Sequence, residues 1–504
     1  MKKIITFALL AAMMLTMLVA NVSAAAWDGT TASASLKGEG TAENPYLIES
    51  AEDLAFLAKS VDEGTTYAGK YITQTADIDL GNKTWNIIGN DGKQFNGLYD
   101  GKGFKITNFK GVASEYDSGL FARVNSTADF QAGIINVTLE GSIDGMTYTN
   151  DADSCIGALV GKLAGSSAKP AIVANCVVDV DITIDKELDN TGKIMYVGAI
   201  AGYSTYASVI NCVNKGDIKL AVAGRHLFVG AMLGQTYYDM VVEGCANLGD
   251  INVEVKSSRY ALAGAMIGRT NGKAGTAYSL KNNINYGAIT AKSVNIAYAS
   301  GGIAQEFNNA TENVTVDACA NLGAVHAEST TEAINSYAGG ILAYENVGST
   351  TIKNCVASGV VTAVGVNKNM LPGAIVGVSN PGSTQKNSSI KDCVATTNVK
   401  GWLGEKSAVE NCTDEADAAV VAAAVKTIED AQKATTSVEI NGKAYNFVVE
   451  TPAPETTTPA PETTTPAPET TTPSNPSTGD VTSVIVLALV AACAGAVLTI
   501  KKTK

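Results

Sequence analysis

The sequence predicts an all-β chain: a parallel β-helix solenoid with short helical and hairpin caps, followed by a disordered Pro/Thr stalk and one transmembrane helix. Three observations carry this expectation. Two short elements recur together with a period of 32 to 41 residues, and such a period marks a repeat architecture. Residues after the second element alternate between apolar and polar, as a strand with one buried face does. No long amphipathic helix separates these strands, which argues against helical repeats and against a βαβ sheet.

The chain opens with Lys2 and Lys3, an uncharged apolar run over 4–19, and small residues at Val22-Ser23-Ala24 and Ala25-Ala26. That order predicts a secretory signal peptide over 1–26, cut after Ala24 or Ala26. An N-terminal cap and the first coils are expected over 27–110. Within them, Ser50 with Asp53 three residues on forms a capping box that starts a short helix over 51–61. Such a helix covers the exposed edge of a first coil.

The repeats proper are expected over 111–415. Their first element is GALVG at Gly157, GAIAG at Gly198, GAMLG at Gly230, GAMIG at Gly264 and GAIVG at Gly373, with looser copies at Gly119, Gly301 and Gly339. The second is NCVNKGDI at Asn211, GCANLGDI at Gly244, NNINYGAI at Asn282 and ACANLGAV at Ala318, with weaker copies at Asn175, Asn354 and Asp392. After it, Val180, Ile182 and Ile184 alternate with Asp181, Thr183 and Asp185, and Ile251, Val253 and Val255 with Asn252, Glu254 and Lys256. Glycine and asparagine mark the corners, where left-handed or tight backbone is needed. Coils of this kind stack at ~4.8 Å. A β-propeller, the rival at this repeat length, needs four antiparallel strands and hairpin turns per blade, and the repeat shows too few of either.

Seven of the nine cysteines share one repeat position: Cys176, Cys212, Cys245, Cys319, Cys355, Cys393 and Cys412, with Asn283 in the remaining copy. An odd ladder of equivalent residues in parallel register suits neither disulfide geometry nor zinc spacing. They read as small buried hydrophobes. Asn175, Asn211, Asn282, Asn354 and Asn411 precede that position, as an asparagine ladder would.

The stretches TAENPYLIESAEDLAFLAKSV, GKYITQTADIDLGNKTWNIIG and FNGLYDGKGFKITNF resemble the N-terminal part of GLUG-type repeat proteins of bacterial surfaces. The repeats that follow resemble GLUG repeats, and the two together span residues from about 38 to 415. The resemblance implies a right-handed β-helix, a surface location and no catalytic residues.

An Ala-rich helix is expected over 414–433 and a hairpin around Asn441-Gly442, together forming a C-terminal cap over 416–450. PAPETTT then repeats three times within a stalk over 451–474. Its prolines favour extended polyproline II, with a reach of roughly 85 Å over 451–478. The segment 475–504 holds Asn475-Pro476-Ser477-Thr478-Gly479, an apolar run of twenty residues over 481–500, and Lys501, Lys502 and Lys504. That run is long enough to span a bilayer, with the lysines on the cytoplasmic side. Motif, span and basic tail resemble the cell-wall sorting signal of Gram-positive surface proteins. The resemblance implies that a sortase cuts after Thr478 and joins it to an amine of the peptidoglycan precursor. The family's usual first residue is leucine, where this chain has Asn475, so retention by the membrane helix stays as the alternative.

The net charge is −13. Without the signal peptide and everything from Gly479 onward it becomes about −17, which favours solubility and repulsion from anionic surfaces. With Arg123, Arg225, Arg259 and Arg269 as its only arginines, the chain lacks the basic footprint of a nucleic-acid binder. HExxH and GxSxG are absent, and no catalytic, metal or cofactor set is expected. Asp179, Asp181 and Asp185 read as the polar side of one strand. Tyr196, Phe228 and Tyr337 stand two residues before the first element, and Tyr237 and Tyr238 sit in an expected loop after it. These are the candidate ligand-binding residues, able to stack on sugars or anchor a protein partner, with packing at a corner as the alternative. The whole reads as a tethered adhesin or ligand-displaying body for an unidentified extracellular ligand. A structural wall component and a polysaccharide-acting enzyme are the other readings.

Overall fold

The computed structural model describes residues 26–447 except 115, 148–151, 189–191, 273–274, 308–312, 331–335, 347–348, 366–369, 380–388, 398–399 and 403–407. The expected signal sequence up to residue 25, the stalk, the sorting motif and the apolar span of 481–500 lie outside the described residues. No helix among the described residues is long and apolar enough to cross a membrane.

The body is a parallel β-solenoid with three walls, formed by sheets of eight, nineteen and fifteen strands. One coil illustrates all of them. Ile194–Gly198 lies in the first wall, Ala201–Ile210 in the second, and Val213–Asn214 with Ile218–Ala223 in the third. The chain then re-enters the first wall at His226–Gly230, one coil on, where Tyr196 pairs with Phe228 and Gly198 with Gly230 in parallel register. The alternation read from the sequence sets which side faces in. Val180, Ile182 and Ile184 are buried, while Asp179, Asp181, Thr183 and Asp185 are exposed. A one-residue slip would put every one of these carboxylates into the core.

Each corner has its own chemistry. Between the first and second walls, the leading glycine of the first element is required by close approach. A Cβ on Gly198 would stand 2.2 Å from Ala201 O, and one on Gly264 2.1 Å from Ile267 O. The looser copy counted from Gly301 begins one residue earlier, because Ser300 is the residue that stacks between Gly264 and Gly339. Its hydroxyl accepts from Gly302 N at 3.0 Å.

Between the second and third walls, Asn136, Asn175, Asn211, Asn282, Asn354 and Asn411 all take φ of 50–54°, a left-handed conformation that asparagine tolerates. Asn211 Nδ2 donates to Asn175 Oδ1, and Asn175 Nδ2 to Asn136 Oδ1, both at 2.8 Å. Gly244 and Ala318 take the same turn and have no side-chain amide to continue the ladder.

A second, fully buried ladder runs inside the third wall. Asn214 Nδ2 donates to Asn247 Oδ1, Asn247 to Asn285 and Asn285 to Asn321, at 2.7–2.8 Å. Each amide also donates to the glycine carbonyl two residues on in its own coil. The cysteines stack beside it as free thiols, with Cys176, Cys212, Cys245, Cys355 and Cys393 fully buried.

The N-terminal helix runs over Ala51–Asp62. Ser50 Oγ accepts from Asp53 N at 3.4 Å, as an N-cap does, while Asp53 Oδ2 accepts from Glu49 N at 3.0 Å, so the expected capping box forms with its return bond shifted to the residue before the cap. Its Leu54, Leu57 and Val61 are buried in the main core.

The C-terminal helix and hairpin form but do not lie where a lid on the last coil would. The helix, Ala418–Ala434, starts beside the last coils, where Ala416 N donates to Ala395 O. It then runs back along the flank, packing Val421, Val425 and Ile428 on Ile284, Ala320 and Val356. Gln432 Nε2 reaches the carbonyls of Cys245 and Asn282 at 3.1 and 2.8 Å. The hairpin, Ser437–Ile440 with Lys443–Asn446, continues to the first coils and packs Ile440 and Tyr445 against Leu98, Phe130 and Ile172. The expected cap is thus a strap. An apolar column on the outside of the walls, and not the open end, supplies its burial.

Candidate ligand-binding surface

The outer side of the first wall carries a stacked column. Cys155, Tyr196, Phe228, Leu262, Tyr298 and Tyr337 follow one another in register. Their neighbours Met195 and Val197 point into the core, so the column faces away from it. Even so, Tyr196 is 8% exposed, Phe228 2% and Tyr337 7%. Tyr203 and Tyr344, from the second wall, fold over them across the corner. The Tyr196 and Tyr203 rings meet edge-on at 5.2 Å, Tyr298 and Tyr344 lie 5.0 Å apart, and Tyr337 stacks on Tyr344 at 5.3 Å. The Arg269 guanidinium lies over Phe228 at 5.0 Å. Burial pushes the Tyr196 phenol well up and that of Tyr203 up to about 12.

A ring this enclosed cannot offer its face to a sugar. Tyr196, Phe228 and Tyr337 therefore build a second apolar cluster, in keeping with corner packing. Tyr298 belongs to the same column and was passed over in the sequence. It stands two residues before Ser300, and counting the repeat from Gly301 hid it.

Tyr237 and Tyr238 have different surroundings. They sit not in the expected loop but in a strand of the second wall, Leu233–Glu243, because the chain absorbs the extra residue as a local irregularity: Tyr237 pairs with Thr205 and the register shifts just beyond. Tyr206 and Tyr238 occupy that shift in successive coils, with φ of 46° and 70°. Left-handed backbone costs a residue other than glycine about 1–2 kcal/mol, and such outliers cluster at functional sites. The two rings stack at 4.7 Å and 8°, and Tyr237 meets Tyr238 edge-on at 4.5 Å. All three are partly exposed. Beside them is a shallow cleft of ≈ 60 Å³ lined by Ser166, Tyr206, Ser208 and Asp239 among others. Sequence reading missed Tyr206, because nothing in the pattern marks its backbone conformation.

The charged residues are largely committed to the scaffold. Asp181 Oδ1 accepts from Asp217 N, Asp217 Oδ1 from Asp250 N, and Asp250 Oδ1 from Ala288 N. Each carboxylate thus caps the next coil. Asp185 pairs with Lys256 at 2.8 Å. Of the arginines separated in sequence, Arg259 and Arg269 converge on His226. Burial first, and these two cations next, hold its imidazole down at about 4. Arg123 instead pairs with the buried Asp117 and with Asp91. No group of three or more His, Cys, Asp or Glu suited to a metal occurs among the described residues. The sorting residues Asn475, Pro476, Ser477, Thr478 and Gly479 lie outside them.

No family model matches the chain. A stretch of 134 residues is 34% identical to a "Putative Gly-rich membrane protein" of Evansella cellulosilytica, covering 26% of this chain and 14% of that protein. A stretch of 160 residues is 32% identical to "Halomucin" of Haloquadratum walsbyi, covering 29% of this chain and 2% of that protein. The chain therefore spans only a small part of the length of these curated relatives. Among solved structures, one described as "a putative immunoglobulin A1 protease from Bacteroides ovatus" aligns with a TM-score of 0.44 at 16% identity, over 82% of this chain and 95% of that one. At that score the likeness carries no argument.

Proposed function

We propose that this chain is a bacterial surface protein, tethered at its C-terminus, whose solenoid displays a ligand-binding face and performs no catalysis. The observation that carries the binding role is the partly exposed stack of Tyr206 on Tyr238, flanked by Tyr237, on backbone held in a costly conformation in two successive coils. Planar aromatic faces beside hydroxyl and carboxylate groups suit the apolar face and the hydroxyls of a sugar ring. A glycan is the ligand class this corner fits best.

Tethering rests on the resemblance to a sorting signal over 475–504, with Thr478 as the residue a sortase would join to peptidoglycan. A surface location, though not the tether itself, is supported by the names of the two partial relatives, one a membrane protein and one a halomucin. The GLUG resemblance supports the same surface role. The right-handed coil it implies is the hand that parallel crossover connections adopt in nearly all sheets.

Two experiments test the proposal. A glycan array probed with the wild-type chain and with Tyr237→Ala and Tyr238→Ala tests binding. Retention on some glycans that both substitutions abolish supports it, and an empty array leaves a structural wall component as the better reading. Muramidase digestion of the source cell wall, followed by mass spectrometry of the C-terminal peptide, tests the tether. A peptide ending at Thr478 and joined to a stem-peptide amine supports sortase anchoring. An intact chain through Lys504 in membranes alone overturns it.

A further inference from the structure

Where the C-terminal hairpin meets the first coils, the two surfaces leave a pocket of ≈ 120 Å³. It is lined by Tyr71, Thr73, Asp100 and Lys102 from the coils and by Lys443 and Tyr445 from the hairpin, among others. Asp100 is a carboxylate only 4% exposed. Its Oδ2 meets Lys102 Nζ at 2.6 Å, and its Oδ1 accepts from Asn136 Nδ2 at 2.9 Å and from Lys102 N at 3.0 Å. Tyr445 is 7% exposed, and its buried hydroxyl has no hydrogen-bond partner among the described residues.

That hydroxyl is the informative atom. A buried polar group without a partner costs about 1–3 kcal/mol, and native proteins carry few of them without a reason. Phenylalanine would fill the same space at no such cost. The hydroxyl also lies close to other polar groups: after burial, Tyr71 and Asp100 are the neighbours that push its phenol further up.

We propose that this pocket binds a small neutral polyhydroxylated ligand, a single sugar residue or the end of a sugar chain, between the first coils and the C-terminal hairpin. The Tyr445 hydroxyl and the Lys443 ammonium donate to it. Asp100 and the Thr73 hydroxyl accept from it, and the partly buried Tyr71 ring offers an apolar face. A ligand hydroxyl can donate and accept at once. An anion would meet the Asp100 carboxylate, and a cation would meet Lys102 and Lys443. The volume equals about four waters at ~30 Å³ each, which suits part of one ring and excludes an extended chain. Because the hairpin supplies two of these six residues, the site exists only while the strap is docked. Occupancy therefore holds the strap down by mass action. This site is separate from the Tyr206, Tyr237 and Tyr238 corner, and the two stand or fall independently.

The test uses the full chain in detergent, with glucose, galactose, N-acetylglucosamine and glycerol as probes. Saturation-transfer NMR reads binding, and hydrogen exchange reads the amides of 437–446. At least one sugar is expected to bind saturably in the millimolar range and to slow exchange in the hairpin. Tyr445→Phe, which removes one oxygen, should weaken that binding at least tenfold as read from the sugar concentration that slows exchange over 437–446, a readout that sugar bound at the Tyr206, Tyr237 and Tyr238 corner does not enter. Without sugar, the Tyr445→Phe hairpin should exchange no faster than wild type, which separates loss of the site from loss of the fold. Three results would each overturn the proposal: no saturable binding of any probe, equal binding by Tyr445→Phe, or preferential binding of inorganic phosphate.

Discussion

Asn441 and Gln131, 310 residues apart in the chain, exchange two hydrogen bonds. Gln131 N donates to Asn441 Oδ1 at 2.8 Å, and Asn441 Nδ2 donates to Gln131 O at 3.1 Å. The side-chain amide reads the backbone of a coil as a neighbouring strand would. It does so from a left-handed turn position, φ 53°. Asn441→Ala removes both bonds and leaves alanine in a conformation that costs it about 1–2 kcal/mol. Hydrogen exchange over 437–446 should accelerate at least tenfold, with the coil strands unchanged. Equal acceleration in the coils would mean that the strap is part of their folding unit.

The buried ladder of the third wall predicts a larger effect. Asn247→Ala strips the donor from Asn285 Oδ1 and from Gly249 O, both in the interior. At about 1–3 kcal/mol for each of these two buried acceptors left without a partner, the loss is about 2–6 kcal/mol. A urea titration of the variant should show the fall in midpoint.

Strain and function separate at Tyr238. Tyr238→Gly releases about 1–2 kcal/mol of left-handed strain. It gives up a stacked pair worth about 0.5–1.5 kcal/mol and adds about 0.5–1 kcal/mol of backbone entropy. Stability should stay within about 1 kcal/mol of wild type while glycan retention on the array is lost. A variant that unfolds instead would make the tyrosine a scaffold residue.

The thiols should divide sharply. Burial pushes those of Cys176, Cys245 and Cys355 well up, which leaves no thiolate to react at neutral pH. Maleimide should label Cys412, which is partly exposed, in the native state. Burial pushes the Cys155 thiol well up too, so it and the other six described cysteines should react only in denaturant. A reducing agent should leave the melting temperature unchanged.

Acid should weaken the fold through His226. Its folded pKa is held at about 4, below the ordinary 6.5, so the unfolded chain binds the proton more readily. Stability from this group is intact above pH 6.5 and falls as the pH drops from 6.5 to 4, where the loss levels off. His226→Gln should flatten the stability profile in that window, measured by thermal melts at half-unit steps.

Much of the solenoid was legible because a strand declares its buried face locally. The alternation through Val180, Ile182 and Ile184 needs no knowledge of distant residues, and neither does the capping box at Ser50 and Asp53. The fate of the aromatics was not legible in the same way. Whether Tyr196 and Tyr337 are open or covered depends on Tyr203 and Tyr344, which belong to another wall and come close only once the corner is built. The left-handed backbone of Tyr206 leaves no mark on the pattern. The helix stripe of Val421, Val425 and Ile428 encodes a need for burial without naming the partner. An end lid and a flank strap satisfy it equally.

The strap also sets a length. Its helix has 17 residues and so covers about 25 Å at ~1.5 Å per residue. Between Gln432's contact at Cys245 and the strap's start beside Ala395 lie the coils of Asn283, Cys319, Cys355 and Cys393, roughly 19 Å at ~4.8 Å each. Stacked walls tolerate duplication of a whole coil, since every ladder meets an identical neighbour. The strap does not: one extra coil would carry the Cys245 and Asn282 carbonyls beyond the reach of Gln432, and Asn441 beyond Gln131. Recombination among these repeats can lengthen the span only if the helix gains about three residues for each added coil. The return segment thus works as a ruler, fixing the coil number that a self-similar sequence would otherwise let drift.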